Sequence, residues 1–149
     1  MRSASIEIRM MRYLIALLAL AGAVVSALAL HVHYTTDTQP CSINEKWDCG
    51  IVNHSPFAEI AHVPVAAIGI AGYLALAGLA LARQRFLTFF AALAGLGFAL
   101  RLTFIEQFAL GVWCLYCAIS QVIIVLIVLL ALGWFTAEYL ALKRAMRAA

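Results

Sequence analysis

Charge is the scarcest property of this 149-residue chain. Only 11% of its residues are Asp, Glu, Lys or Arg, whereas 66% are hydrophobic, and the mean hydropathy is +1.00. Soluble domains carry roughly a quarter charged residues and about half apolar ones. The shortage of charge therefore excludes an ordinary soluble domain and indicates a protein that lies in a lipid bilayer. A net charge of +3 from so few charged residues gives no indication of nucleic-acid binding.

Four apolar segments are long enough to cross a bilayer, whose hydrocarbon core of about 30 Å requires about 20 helical residues. They predict transmembrane helices over residues 13–33, 63–82, 86–107 and 112–140. Lipid offers no hydrogen-bond partner to an open backbone, so these segments must be helical. The fold class expected is an all-α integral membrane bundle of four helices. Residues 1–149 are expected to form one such membrane domain, because low-complexity tracts and clear repeats are lacking.

Basic residues are concentrated at one end of the predicted bundle. Eight of the ten lysines and arginines precede the first segment, connect the second to the third, or follow the fourth: Arg2, Arg9, Arg12, Arg83, Arg85, Lys143, Arg144 and Arg147. The long loop over residues 34–62 holds four acidic residues against a single Lys46. Because basic connections stay in the cytoplasm, both termini are expected there and the loop outside. The basic start, apolar run and SALA at 26–29 are also compatible with a cleavable signal peptide.

The outer loop is too long for a simple connection, and loops of this length are usually functional or disordered. Its stretch NHSPFAEIAHVP, residues 53–64, carries the signals of a short helix. Ser55 is a good N-cap and Pro56 suits the first helical position. Phe57 would lie on an apolar side of this helix, facing the outer mouth of the bundle.

Cysteine is also scarce, and its four copies form two pairs. Cys41 and Cys49 are in the outer loop, a spacing that suits a mobile dithiol, while Cys114 and Cys117 begin the fourth helix. That helix must enter from outside, so all four thiols are expected on the extracytoplasmic side, where disulfides persist. A CxxC motif places both sulfurs on one helix face, and a helix N-terminus favours the reactive thiolate. An idle structural disulfide and a four-cysteine zinc site remain open as alternatives.

Two charges stand out in the third apolar segment. Arg101 is expected near the outer third of its helix, and Glu106 follows about one and a half turns later. Charge inside a membrane is costly and often functional, although an arginine so near the interface can also extend its head group to water.

The order of these features resembles the vitamin K epoxide reductase family, specifically its bacterial homologues. The likeness is carried by PCSINEKWDC at 40–49, a serine six residues after the second cysteine, VPVAAIGIAGY at 63–73 and IEQFALGVWCLYC at 105–117. It spans roughly residues 12 to 140. The resemblance implies a thiol–quinone oxidoreductase of the bacterial inner membrane that reoxidises a periplasmic thioredoxin-like (DsbA-like) protein. The sequence ends at Ala149 without a thioredoxin domain, so this partner is expected to be a separate protein.

The same resemblance gives each cysteine a place in a relay. Electrons would enter at Cys41, and Cys49 would pass them to Cys114. Cys117, deepest in the bundle, would deliver them to a quinone that takes two electrons and two protons.

Quinone-binding residues follow from the resemblance and from the predicted loop helix: Ser55, Phe57, Val65 and Gln121. Ser55 matches the family serine near the quinone head group. Val65 and Gln121 stand where animal members have Asn and Tyr, which favours ubiquinone or menaquinone over vitamin K epoxide. A metal site is not assigned. The alternative function is a non-enzymatic metal carrier or assembly factor that uses the cysteines as soft ligands.

Overall fold

The computed structural model describes residues 2–36 and 41–148, which fold almost entirely into helices. In chain order these are α1 (Arg2–Tyr34), α2 (Cys49–Asn53), α3 (Val65–Leu81), α4 (Arg85–Ile105) and α5 (Leu115–Ala148). Between α2 and α3 lie a 3-10 turn (Pro56–Ala58) and an antiparallel hairpin of β1 (Glu59–Ile60) and β2 (Val63–Pro64). The end of α4 continues into a π-helical segment, Glu106–Leu110.

The long helices have the dimensions and surface of membrane spans. Within the described residues, three segments are long and apolar enough to cross a bilayer: Ile6–Tyr34, Arg85–Leu110 and Leu115–Arg147. The fourth long helix, α3, is an apolar helix of 17 residues. Large hydrophobic side chains such as Leu17, Phe90 and Val122 remain exposed on the outside of the bundle. Extensive exposed apolar surface of this kind suits a lipid environment. The predicted all-α membrane architecture is confirmed.

The bundle core lies where α1 packs against α3 and α5, and where α4 packs against α5. Small residues allow this close approach in lipid, where apolar surface alone gives helices no drive to associate. A Cβ atom built on Gly22 of α1 would lie 2.5 Å from the ring of Tyr73 on α3. A Cβ on Gly69 would lie 2.9 Å from the Ser26 hydroxyl. The α1–α3 contact therefore depends on glycine at position 22, and the helices also approach closely at Gly69.

Arginines hold the basic end of the bundle together. Arg12 of α1 donates hydrogen bonds to the carbonyls of Ala80 (3.2 Å) and Leu81 (3.3 Å), where α3 ends and its last carbonyls lack helical partners. Arg85 of α4 pairs with Glu138 of α5. Because neighbouring long helices run antiparallel, this end is opposite the one that carries the cysteines.

The helix predicted to start at Ser55 is present only as a three-residue 3-10 turn, Pro56–Ala58, with Ser55 at its N-cap position. The chain makes only the 3-10 turn there and then extends into β1. Ala61 and His62, both with positive φ, reverse it into β2. The Ser55 hydroxyl does not cap the turn; it donates to the carbonyl of Val52 at 2.7 Å. The short helix of the outer loop is α2, which begins at Cys49.

Two long helices extend beyond the predicted spans. α1 begins at Arg2 rather than at residue 13, and α5 continues to Ala148 rather than ending at 140. Hydropathy detects only the part of a helix that lipid surrounds. Arginine, lysine and alanine are good helix formers, so the polar ends continue the helices past that part.

Candidate active site

The two cysteine pairs meet at one end of the bundle. Cys41 and Cys49 form a disulfide with their Cα atoms 5.6 Å apart, whereas Cys114 and Cys117 are free thiols. The Cys114 thiol donates to Cys49 Sγ at 3.1 Å. Cys41, Cys49 and Cys114 are all 0% exposed, and their sulfurs lie within 4.8 Å of one another. The structure thus joins the loop pair to the helix pair through Cys49 and Cys114.

Helix α2 positions Cys49 because Asp48 caps it. One carboxylate oxygen of Asp48 accepts hydrogen bonds from the backbone N–H groups of Gly50 (2.8 Å) and Ile51 (3.1 Å) and from the Ser42 hydroxyl (2.9 Å). Burial raises the pKa of Asp48, but these hydrogen bonds outweigh it, so the pKa lies below its usual value. The cap is therefore present at neutral pH and is lost only as the pH falls through this lowered pKa.

Backbone hydrogen bonds attach the loop to the start of α5. The N–H of Asp48 donates to the Trp113 carbonyl at 3.0 Å, and the N–H of Trp113 donates to the Lys46 carbonyl at 2.8 Å. The rings of Trp47 and Trp113 pack with their centroids 6.2 Å apart. Since Trp113 precedes Cys114 and Asp48 precedes Cys49, this bridge places the two sulfurs side by side. The structure gives Cys49 a defined place at the start of α2, whereas the mobility expected of the loop pair stays a prediction.

Hydrogen-bond donors converge on the Cys114 sulfur where α5 begins. The backbone N–H of Cys117 lies 3.4 Å from Cys114 Sγ, and the side-chain amide of Asn53 lies 3.8 Å from it. Asn53 is held by a second hydrogen bond from this amide to the Cys49 carbonyl at 2.9 Å. Donors of this kind, at a helix N-terminus, favour the thiolate that attacks disulfides.

A buried carboxyl group lies below the CxxC motif. Glu106 is 3% exposed, and its Oε2 accepts a hydrogen bond from the backbone N–H of Cys114 at 3.2 Å. The π-helical segment and Gly111 make this contact possible, because Gly111 has a left-handed φ of 67° and its N–H donates to the Glu106 carbonyl at 2.9 Å. That turn folds the chain back so that Cys114 returns to Glu106. Within the described residues, Arg101 makes no ion pair with Glu106.

A cavity of about 430 Å³ extends from the cysteines into the bundle between α1, α3, α4 and α5. Its walls are mainly apolar, and the Cys117 thiol lies on them. Three of the residues expected to bind a quinone, Ser55, Phe57 and Val65, also line it. The cavity therefore brings Cys117 and these predicted contacts to one space.

The structure does not bring Gln121 to this cavity. Ser120, the preceding residue of α5, lines it instead. The Tyr73 hydroxyl bonds to the Ser120 carbonyl (2.9 Å) and lies 2.8 Å from its hydroxyl. This polar pair lies on the wall where Gln121 was expected.

Four polar cavity residues are absent from the predicted quinone-binding set: Asn53, Tyr73, Glu106 and Ser120. Two of them had a detectable signal. Tyr73 is a hydroxyl-bearing residue in an otherwise apolar segment, and Glu106 is an acid eight residues before the CxxC motif. Asn53 and Ser120 stand out only once the fold is known.

Two cysteine pairs in contact at one end of a membrane helix bundle, with an apolar cavity beneath them, define a membrane thiol–disulfide protein. The sequence model of the vitamin K epoxide reductase family matches residues 13–144, so the chain belongs to this family. A search of curated proteins finds no match. Membership confirms the predicted family and makes the protein a multi-pass membrane thiol oxidoreductase.

Proposed function

We propose that this oxidoreductase passes electrons from a thioredoxin-like protein through its two cysteine pairs to a quinone, and so supports disulfide-bond formation. The observation that supports this proposal best is the distance of 3.1 Å between Cys49 Sγ and Cys114 Sγ. When two reacting atoms are held roughly 3 to 3.5 Å apart, most of the entropy cost of bringing them together no longer contributes to the barrier. Exchange between the two pairs therefore needs little rearrangement.

The internal step is a pair of thiol–disulfide exchanges that balances within the chain. Once a partner has reduced the loop pair, the Cys49 thiolate attacks Cys114 of a Cys114–Cys117 disulfide, and Cys117 leaves as a thiolate. Cys41 then attacks Cys49, which forms the Cys41–Cys49 disulfide and releases Cys114. The result is one loop disulfide and two free helix thiols, which is the pairing in the structure.

Entry of electrons requires a local movement of the loop. Cys41 is fully buried in this state, so a soluble thiol cannot reach it without exposing it first. Cys49 is held by the capped helix α2 and by the backbone bridge to Trp113. Cys41 is therefore the better entry point, since it can move while Cys49 stays beside Cys114.

The cavity walls fit a quinone, which is apolar apart from its two carbonyl oxygens. Ser55, Phe57 and Val65 would hold the head group near Cys117, and the Tyr73–Ser120 pair offers a hydroxyl where Gln121 does not reach. A bound ubiquinone or menaquinone would supply an acceptor of two electrons and two protons. The role of the chain is to place the Cys117 sulfur on the wall of this water-poor space.

We place the cysteine end of the bundle in the periplasm and the basic end, with both termini, in the cytoplasm. A variant with all four cysteines replaced by alanine would receive one new cysteine, as Glu45→Cys or Arg144→Cys. A membrane-impermeant maleimide applied to intact cells should label the first and not the second. The reverse labelling pattern would contradict the orientation.

Purified protein in detergent should reduce added quinone when it is given a dithiol. Cys117→Ala should abolish this activity, because the last sulfur of the relay is gone, whereas Ile119→Ala on the exposed side of α5 should leave it unchanged. Quinone absorbance measures both. If Cys117→Ala keeps its activity, the proposed exit is wrong.

A metal carrier is the second candidate, because three of the sulfurs lie within 4.8 Å of one another. Thiolates at such distances could bind zinc or copper(I) once the disulfide is reduced. Purified protein that holds stoichiometric metal, has all four thiols reduced and lacks quinone reduction would favour this function. Metal analysis and thiol titration of one preparation decide between the two.

A further inference from the structure

Glu106 has an unused hydrogen-bonding position next to a reacting sulfur. Its Oε2 holds the backbone N–H of Cys114, but its Oε1 is buried and has no hydrogen bond of standard geometry among the described residues. The Cys117 thiol lies one helical turn after Cys114, whose N–H this carboxyl group holds, and it interacts with both the carboxyl group and the Cys114 thiol. Both groups line the cavity.

The chemistry at Cys117 requires a proton acceptor in this place. Oxidation of two thiols to a disulfide releases two protons, and the attacking species is a thiolate. The cavity wall is mainly apolar, and within the described residues no lysine, arginine or histidine lines it. A proton leaving Cys117 therefore needs a base on the wall itself, within hydrogen-bond reach.

We propose that Glu106 is the catalytic base that takes the proton of Cys117 inside the cavity. This inference rests on the proposed function, which makes Cys117 the donor to the acceptor. The Cys117 S–H bond breaks, the carboxylate of Glu106 gains the proton, and the thiolate is formed. Glu106 then gives the proton to the quinone and can accept the proton of Cys114. Overall, two thiols become one disulfide, and two electrons and two protons go to the quinone.

This assignment predicts a particular pH dependence. When the proton moves only between Cys117 and Glu106, the pair keeps one proton, so the thiolate population does not change with bulk pH. Without the carboxylate, Cys117 must lose its proton to solvent, and its reactivity should rise about tenfold per pH unit. The other titratable groups nearby are the Cys114 thiol, the Cys41 and Cys49 thiols once the protein is reduced, and two phenols, Tyr73 and Tyr116. Phenols ordinarily stay neutral in this range.

Alkylation of Cys117 tests the assignment without any quinone. The full-length protein would be reduced in detergent under anaerobic conditions and treated with N-ethylmaleimide between about pH 6 and pH 8, the range around neutrality in which free thiols are mostly protonated. The rate at Cys117 would be read by peptide mass spectrometry. Wild type should show a nearly flat rate. Glu106→Gln, which can still accept the Cys114 N–H, should show a lower rate at pH 6 and the steep slope.

Two further variants keep the test decisive. Glu45→Gln removes an exposed carboxylate from the same end of the molecule and should keep the wild-type profile. Glu106→Asp keeps a titratable carboxyl and should keep a flat profile at a lower rate. An alkylation rate that rises about tenfold per pH unit in wild type would overturn the assignment. If Glu106→Gln does not fold, the same slope in Glu106→Asp would overturn it. The assignment would also be overturned if the alkylation rates of wild type and Glu106→Gln showed the same dependence on pH. In that case, quinone reduction by wild type would still support the relay.

Discussion

Cys49 has two sulfur neighbours, its disulfide partner Cys41 and the Cys114 thiol 3.1 Å away. A sulfur in this position can exchange one partner for the other without moving far. The sequence places these cysteines in a loop and at a helix start, but the loop spacing does not show which one touches the helix pair. The contact depends on the backbone bridge between Asp48 and Trp113, which has no sequence signature.

Cys49→Ala should trap the entry intermediate. Cys41 would keep its ability to form a mixed disulfide with the proposed thioredoxin-like partner, but the resolving sulfur would be gone. Cells expressing the variant should yield a covalent adduct on non-reducing gels, and dithiothreitol should separate this adduct by reducing its disulfide bond. Cys41→Ala is the matched control and should yield none. Recovery of the adduct from Cys41→Ala instead would assign entry to Cys49.

Ser55→Ala tests the predicted quinone contact. The variant loses a hydroxyl that lines the cavity and a hydrogen bond to the Val52 carbonyl, a bond worth about 1 kcal/mol. Quinone turnover should fall several-fold while the melting temperature in detergent changes little. Thr136→Ala removes a similar bond, to the Gly133 carbonyl three residues earlier, far from the cavity. Equal losses of turnover and stability in Ser55→Ala would indicate a structural role only.

At the scale of elements, the long helices were predictable and the loop was not. Hydropathy alone locates the four long apolar helices, three of which are long enough to cross a bilayer, because lipid forces apolar segments to be helical. Ser55 and Pro56 are residues that often begin a helix. The hairpin turn that follows needs a positive φ at Ala61 and His62, and most residues rarely adopt this conformation. Local sequence preferences therefore do not reveal the turn. Helix α2 is stabilised by its N-cap, Asp48, and by the backbone hydrogen bond from Asp48 to Trp113.

The α1–α3 contact can be tested with a matched pair of glycines. Gly22→Ala should push a methyl group into the Tyr73 ring, 2.5 Å from the built Cβ, and destabilise the bundle by about 1–3 kcal/mol. Gly78→Ala, where nothing lies within 4 Å of the built Cβ, should be neutral or slightly stabilising because alanine favours helix. Thermal unfolding in detergent measures both. Similar melting temperatures would contradict the close contact.

At the scale of the whole molecule, the two ends of the bundle have different chemistry. Arg12 and Arg85 tie the helices together at the basic end, and the sulfur cluster and Glu106 lie at the other. The cavity connects the sulfur end to the interior of the bundle. This arrangement places the loop, the sulfur cluster and the apolar cavity in one order along the axis of the bundle.

The most direct test of the relay is the pairing of the two sulfurs that are proposed to exchange. In the double variant Cys41→Ala, Cys117→Ala, the remaining Cys49 and Cys114 should form a disulfide with each other, and peptide mass spectrometry would identify the cross-link. The complementary variant Cys49→Ala, Cys114→Ala should leave Cys41 and Cys117 as free thiols. If Cys49 and Cys114 instead remain fully alkylatable under oxidising conditions, the two pairs do not communicate and the relay is wrong.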